Sequence, residues 1–168
     1  MELYHAIRNR CSVRSYLDKP VEQDKLVRIL DAGRLAPSGN NRQEWKFVVV
    51  RQAQLRQELA QACEQPWIAE APVLVAVVGC NPGRLMSCEV PADPVDCAIA
   101  MSYMMLAVEA EGLGTCWIGH FSQPQCKALL NVPESAQIIG LLPIGYAAQR
   151  PGPRRRKPLG EIVTDEKY

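Results

Sequence analysis

Arg10, Ser12 and Arg14 stand at i, i+2 and i+4. In an extended segment all three side chains leave one face, while Cys11 and Val13 leave the other. Guanidinium groups offer planar, rigid donors that pair with anionic oxygens two at a time, and a serine hydroxyl between two of them can complete the coordination. The segment is therefore a candidate anion clamp. An exposed, Arg-rich strand edge has the same pattern, so the choice rests on what accompanies it.

Its companion is Ala36-Pro37-Ser38-Gly39-Asn40-Asn41-Arg42-Gln43-Glu44-Trp45, followed by the apolar run Phe47 to Val50. Proline, serine, glycine and two asparagines form a compact turn whose donors and acceptors no helix or ladder consumes. Such a turn can cradle a heterocycle, with the buried strand behind it as a rigid support. It can equally be a helix stop that leads into a strand.

The elements that must position these residues follow from periodicity. Helices are expected at about 2–9 and, after Pro20, at about 21–35, with Leu26, Ile29, Leu30 and Gly33 on one face. A strand at 45–51 precedes a helix marked by Leu55, Leu59 and Ala62, and Val73 to Val78 form a short apolar strand. Pro82, Gly83, Pro91 and Pro94 then break the chain into a loop. From Val95 to about Glu111 runs a helix that is apolar almost all round and must be covered on every side, most simply by a second copy of the chain. Strands at about 115–118 and 137–146, with a helix at 123–130 between them, complete an interleaved α and β order that suits a sheet flanked by helices.

Composition sets the limits. With 168 residues, 48% of them hydrophobic, the chain can bury a core as one domain, 1–168, whose last part, 147–168, reads as a C-terminal tail. Lys and Arg number 19 against 18 acidic residues, so no overall field draws it to nucleic acid or lipid. The dense basic run Arg154-Arg155-Arg156-Lys157 is by itself either a solvated tail or a nonspecific polyanion contact. Seven cysteines without a signal-like opening at Met1-Glu2-Leu3-Tyr4 point to reduced thiols in a cytosol, and with no C-x-x-C pair and only two histidines no metal is expected.

At this spacing the two segments resemble the nitroreductase family, where an R-x-S-x-R element is followed about one helix later by A-P-S-[SG]-x-N-x-Q-P-W. The resemblance continues through Val95-Asp96-Cys97-Ala98-Ile99-Ala100-Met101, Gly112-Leu113-Gly114-Thr115-Cys116-Trp117-Ile118-Gly119, Pro143-Ile144-Gly145-Tyr146 and the tail from Arg156 to Val163. Glu44 stands where the family has proline, and the loop at 80–93 is brief, which implies an open site. Gly112-x-Gly114 follows a helix and leads to Trp117, so a dinucleotide-binding fingerprint is a poor alternative, and no G-x-S-x-G element is present.

The resemblance implies an α+β fold, a three-layer sandwich with a mixed central sheet, built as an intertwined homodimer with one flavin mononucleotide (FMN) per subunit at the interface. By the same resemblance Arg10 and Ser12 hold the phosphate and ribityl chain, Cys11 lends backbone, and Arg14 lies near the pyrimidine end, where its charge favours the reduced flavin. Pro37, Ser38, Gly39, Asn41 and Gln43 of the other subunit approach the ring, and Ile118 and Gly119 line it with backbone groups. Arg156 returns to the phosphate, with Arg154 or Lys157 as the alternatives. No acid or base residue is named. The implied activity is electron transfer from NADH or NADPH to a nitroaromatic, a quinone, another flavin or a carrier protein. An FMN storage or sensor protein is the alternative of a different class.

Overall fold

The computed structural model describes residues 2–152 and 154–168; Met1 and Pro153, which fall within the expected domain and tail, lie outside the described residues. Five helices, α1 (Leu3–Asn9), α2 (Gln23–Arg34), α3 (Ala53–Ala62), α4 (Ala92–Ala110) and α5 (Gln123–Leu130), surround four strands, β1 (Trp45–Val50), β2 (Val73–Gly79), β3 (Gly114–Thr115) and β4 (Gln137–Gly145). The sheet order is β1-β2-β4-β3.

Every pair of neighbouring strands is antiparallel, which corrects the expectation of a mixed sheet. Among the described residues the parallel component is one bridge between Ser12 and Thr115, because the segment that carries Ser12 turns away to make an antiparallel bridge between Tyr16 and Ala147. The strand expected at 115–118 is also shorter. Thr115 pairs with Ile144 and Ile118 with Leu141, and the interruption between them coincides with Pro143, which has no N–H to continue a ladder.

β2 is buried along its whole length, and the two-residue period of a strand divides it between two cores. Leu74, Ala76 and Val78 pack with Leu59 of α3 and Cys126 of α5. Val73, Val75 and Val77 pack with Leu26 and Ile29 of α2 and Met101, Met104 and Val108 of α4. α2 can approach α4 closely because position 33 is glycine: a Cβ there would stand 2.8 Å from Cγ of Met104.

α4 begins at Ala92, three residues before the sequence reading places it. Pro94 was expected to break the chain, yet it falls in the first helical turn, where the backbone N–H groups have no intrahelical acceptor and a proline costs nothing in hydrogen bonding. The early start carries Asp93 and Asp96 into buried positions, 1% and 4% exposed. The single chain already covers most of α4. What remains open is an apolar groove of about 560 Å³ between it and α1, lined by Leu3, Ile7, Tyr103 and Leu106 among others. Among the described residues no helix is long and apolar enough to cross a membrane.

Candidate functional site

The segment 10–17 is extended and alternates as its sequence demands: Cys11 and Val13 are 9% and 0% exposed, whereas Arg10, Ser12 and Arg14 face outward. Backbone bonds fix it on both sides. The Val13 N–H donates to the Thr115 carbonyl at 3.0 Å, the Leu17 N–H to that of Tyr146 at 2.9 Å, and the Ala148 N–H to that of Ser15 at 3.0 Å. The Tyr16 hydroxyl lies buried 3.0 Å from the Val13 carbonyl oxygen and 3.3 Å from that of Pro143, and burial pushes its pKa up.

The tail starts beside this segment. Arg150 binds Glu109 at 2.7 Å and sends the chain across the outward face of residues 8–11. The result is a cavity of about 630 Å³ lined by Arg8, Arg10, Cys11, Arg154 and Arg156 with neighbouring backbone. None of its four arginines makes an ion pair among the described residues, so the cavity concentrates guanidinium groups without a carboxylate to neutralise them. Lys157 and Arg155 are not among its lining residues, which favours Arg154 and Arg156 within the basic run. Arg8 was missed by the sequence reading: it stands in the last turn of α1, where alternate-residue spacing does not decide which way a side chain points, and the end of that helix brings it to the cavity beside Arg10.

The cradle loop is built differently. Asn40, Asn41 and Gln43 all have φ 54°, a left-handed conformation that costs about 1–2 kcal/mol for an L-residue, least for asparagine. Such a loop persists only if its surroundings hold it. The Asn41 N–H donates to the Ser38 carbonyl at 2.9 Å, the Gln43 N–H to Oγ of Ser38 at 3.0 Å and Nε2 of Gln43 to the Asn41 carbonyl at 3.1 Å. The Gly39 N–H donates to Oδ1 of Asp96 at 3.0 Å, which ties the loop to the first turns of α4. Pro37 and Asn41 are exposed, while Ser38 and Gly39 are half-buried.

Glu44 has specific partners. Its Oε1 accepts from Nδ2 of Asn81 at 3.1 Å, and its Oε2 pairs with Nε of Arg84 at 2.6 Å. The Asn81 hydrogen bond, then the Arg84 guanidinium, hold its carboxyl below the usual carboxylate range. Asp93 behaves oppositely: one oxygen accepts the Asn81 N–H at 2.7 Å, the other is buried without a partner, and desolvation raises its pKa.

Ile118 is tied into the sheet. Its N–H and carbonyl are both engaged with Leu141, at 2.9 and 3.0 Å, and its side chain is buried in the α3 and α5 core. Gly119 is the exposed member of the pair.

One chain therefore brings Arg10, Cys11, Arg154 and Arg156 together but keeps them apart from the cradle. The clamp stands near Glu109 and the cradle at Asp96, thirteen positions earlier on α4, a separation of roughly 20 Å at 1.5 Å per helical residue.

A model of the nitroreductase family matches residues 7–82 and 61–146. The sequence is 30% identical to an FMN reductase (NAD(P)H) of Bacillus subtilis strain 168, over 99% of this chain and 74% of the relative. Among solved structures, a nitroreductase family protein from Clostridium novyi NT superposes with a TM-score of 0.82 at 31% identity, covering 88% of this chain and 86% of that one. Another, from Clostridium difficile 630, reaches a TM-score of 0.89 at 28% identity with both chains fully covered.

Proposed function

The chain belongs to the nitroreductase family, and from that we propose that it is an FMN-dependent oxidoreductase that takes electrons from NADH or NADPH and delivers them to a small acceptor: a nitroaromatic, a quinone or another flavin. The observation that carries this reading is the cavity in which Arg8, Arg10, Arg154 and Arg156 face one another without a carboxylate. A terminal phosphate monoester matches that donor set, since guanidinium groups bond phosphate oxygens in pairs. The relative named FMN reductase supports the same cofactor and donor.

When bound, FMN would supply the redox chemistry that links the nicotinamide donor to the acceptor. The chain's own residues bind and orient. Arg10, Arg154 and Arg156 hold the phosphate, and Ser12 offers its hydroxyl next along the same outward face. Cys11 contributes backbone while its side chain is buried. Arg14 would bring its cation toward the pyrimidine end, where negative charge develops on reduction. Ser38, Gly39, Asn41 and Gln43 supply the polar cradle and Pro37 its apolar edge, while Ile118 and Gly119 line the ring with backbone groups, Gly119 from an exposed position.

The active unit in this reading is an intertwined homodimer, a three-layer sandwich in each subunit, with clamp and cradle contributed by different copies. The roughly 20 Å between the two halves along α4 supports that arrangement. So do the apolar groove beside Tyr103 and Leu106 and a tail whose Leu159, Ile162 and Val163 are 72%, 64% and 52% exposed. Seven unbridged cysteines suit a cytosolic setting.

Steady-state oxidation of NADH and NADPH with nitroaromatic, quinone and flavin acceptors tests the proposal. Turnover that depends on bound FMN is expected. Stoichiometric FMN without turnover on any acceptor would favour a storage or sensor protein.

A further inference from the structure

Asn40, Asn41 and Gln43 all lie in the left-handed region, which asparagine tolerates and glutamine does not, so at Gln43 the loop is held in place by its surroundings. In the family pattern the residue before the tryptophan is proline, whose ring fixes φ. Here that residue is Glu44, and the stiffness must come from elsewhere. Arg84 lies between two carboxylates: Nη2 donates to Oδ2 of Asp96 at 2.7 Å, and Nε stands 2.6 Å from Oε2 of Glu44 as a charge contact outside hydrogen-bonding geometry. Its side chain is 14% exposed, that of Asp96 6% and that of Glu44 24%, so the trio is largely withdrawn from solvent screening. The other oxygen of Asp96 accepts the Gly39 N–H at 3.0 Å. Arg84 thus touches the end of the cradle directly and its beginning through Asp96.

We propose that Arg84 is a positioning residue for the cradle, bridging Glu44 and Asp96 so that ion pairing takes over the constraint that proline provides in the family pattern. The inference rests on the flavin site proposed above. Three further features fit it. Arg84 is itself held, its N–H donating to the Asn81 carbonyl at 3.0 Å and its carbonyl accepting from Ala92 at 2.9 Å. A Cβ on Gly39 would stand 3.3 Å from Nη1 of Arg84, so the small residue at 39 makes room for the guanidinium. Neither Glu44 nor Asp96 has another ion-pair partner among the described residues. Arg84 does not line the arginine cavity, and its role is to keep Ser38, Asn41 and Gln43 presented in one geometry.

The test uses full-length apoprotein in four forms: wild type, Arg84→Met, Glu44→Gln, and Arg84→Met combined with Glu44→Pro. Each is titrated with FMN by fluorescence quenching, and amide hydrogen exchange is followed without cofactor. Arg84→Met is expected to weaken FMN binding at least tenfold and to speed exchange over 38–44 while β2 and α3 keep their protection. Glu44→Gln is expected to show the same changes at about threefold, which decides the matter even if Arg84→Met unfolds. Restoring proline in the double variant should recover most of the affinity and the slow exchange. Wild-type affinity and exchange in Arg84→Met or in Glu44→Gln would overturn the proposal, as would failure of proline to restore either. If wild type itself binds no FMN, the flavin reading fails, and exchange over 38–44 still decides the role of Arg84.

Discussion

Arg150 binds the buried carboxylate of Glu109 at 2.7 Å and, through its other amino group, donates to the Leu113 carbonyl at 3.2 Å. This pair joins the tail to the C-terminal end of α4 four residues before Arg154, and so fixes where the basic run can reach. The Arg150 side chain is 41% exposed, so solvent weakens the pair. Arg150→Met should therefore cost about 1–2 kcal/mol of stability rather than the full penalty of a buried ion pair. Thermal unfolding measures that loss, and FMN titration of the folded variant should show weakened binding because Arg154 and Arg156 are no longer directed to the cavity.

Arg10 and Arg14 share a face but are assigned different work. Arg10→Ala and Arg156→Ala should each weaken FMN binding by about 1.5–3 kcal/mol, the range for hydrogen bonds to charged groups. Arg14→Ala should retain FMN but lower its midpoint potential, because the lost cation stabilises the reduced form more than the oxidised one. Redox titration of FMN-saturated variants separates the roles. An unchanged potential with weakened affinity in Arg14→Ala would move Arg14 into the phosphate clamp.

Shared sites predict complementation. Neither Arg10→Ala nor Asn41→Ala homodimers should hold FMN normally, but mixing the two should regenerate some sites with both residues intact. Recovered FMN binding after subunit exchange, followed by flavin fluorescence, is the expected outcome. Exchange without recovery would place clamp and cradle in the same chain.

Asp93 predicts a pH effect of defined sign. Burial raises its folded pKa above the unfolded value, so its charged form opposes folding at neutral pH and the penalty is relieved as pH falls through the raised value. Asn at this position retains an oxygen for the Asn81 N–H and removes the charge. Asp93→Asn should raise Tm at pH 7. The gain should vanish near pH 4. Glu44 titrates with the opposite sign: its depressed pKa means that the loop's tether is present above the usual carboxylate range and is lost as pH falls through the lowered value.

Local periodicity made much of this architecture legible. The alternation of Arg10, Ser12 and Arg14 against Cys11 and Val13 needs only the two-residue period of an extended chain, and the apolar face of α2 only the helical one. Features that depend on partners distant in sequence were not legible. Pro94 reads as a break unless its place in the first turn of α4 is known, and Pro143 interrupts a ladder only because it stands opposite Cys116. Arg84 lies among Pro82, Gly83 and Pro91 and looks like an ordinary loop cation; its meaning comes from Glu44, forty residues earlier. The engagement of both Ile118 backbone groups by Leu141, twenty-three residues away, is likewise invisible in the local sequence.

The cofactor carries the whole functional reading, and it can be measured directly. Purified protein is denatured, the supernatant is separated by chromatography, and released flavin is quantified against protein. The account predicts noncovalent FMN, not FAD, at about one per chain, because guanidinium groups clustered without carboxylates suit a terminal phosphate. Recovery of no flavin, together with failure of the protein to bind added FMN, would contradict it.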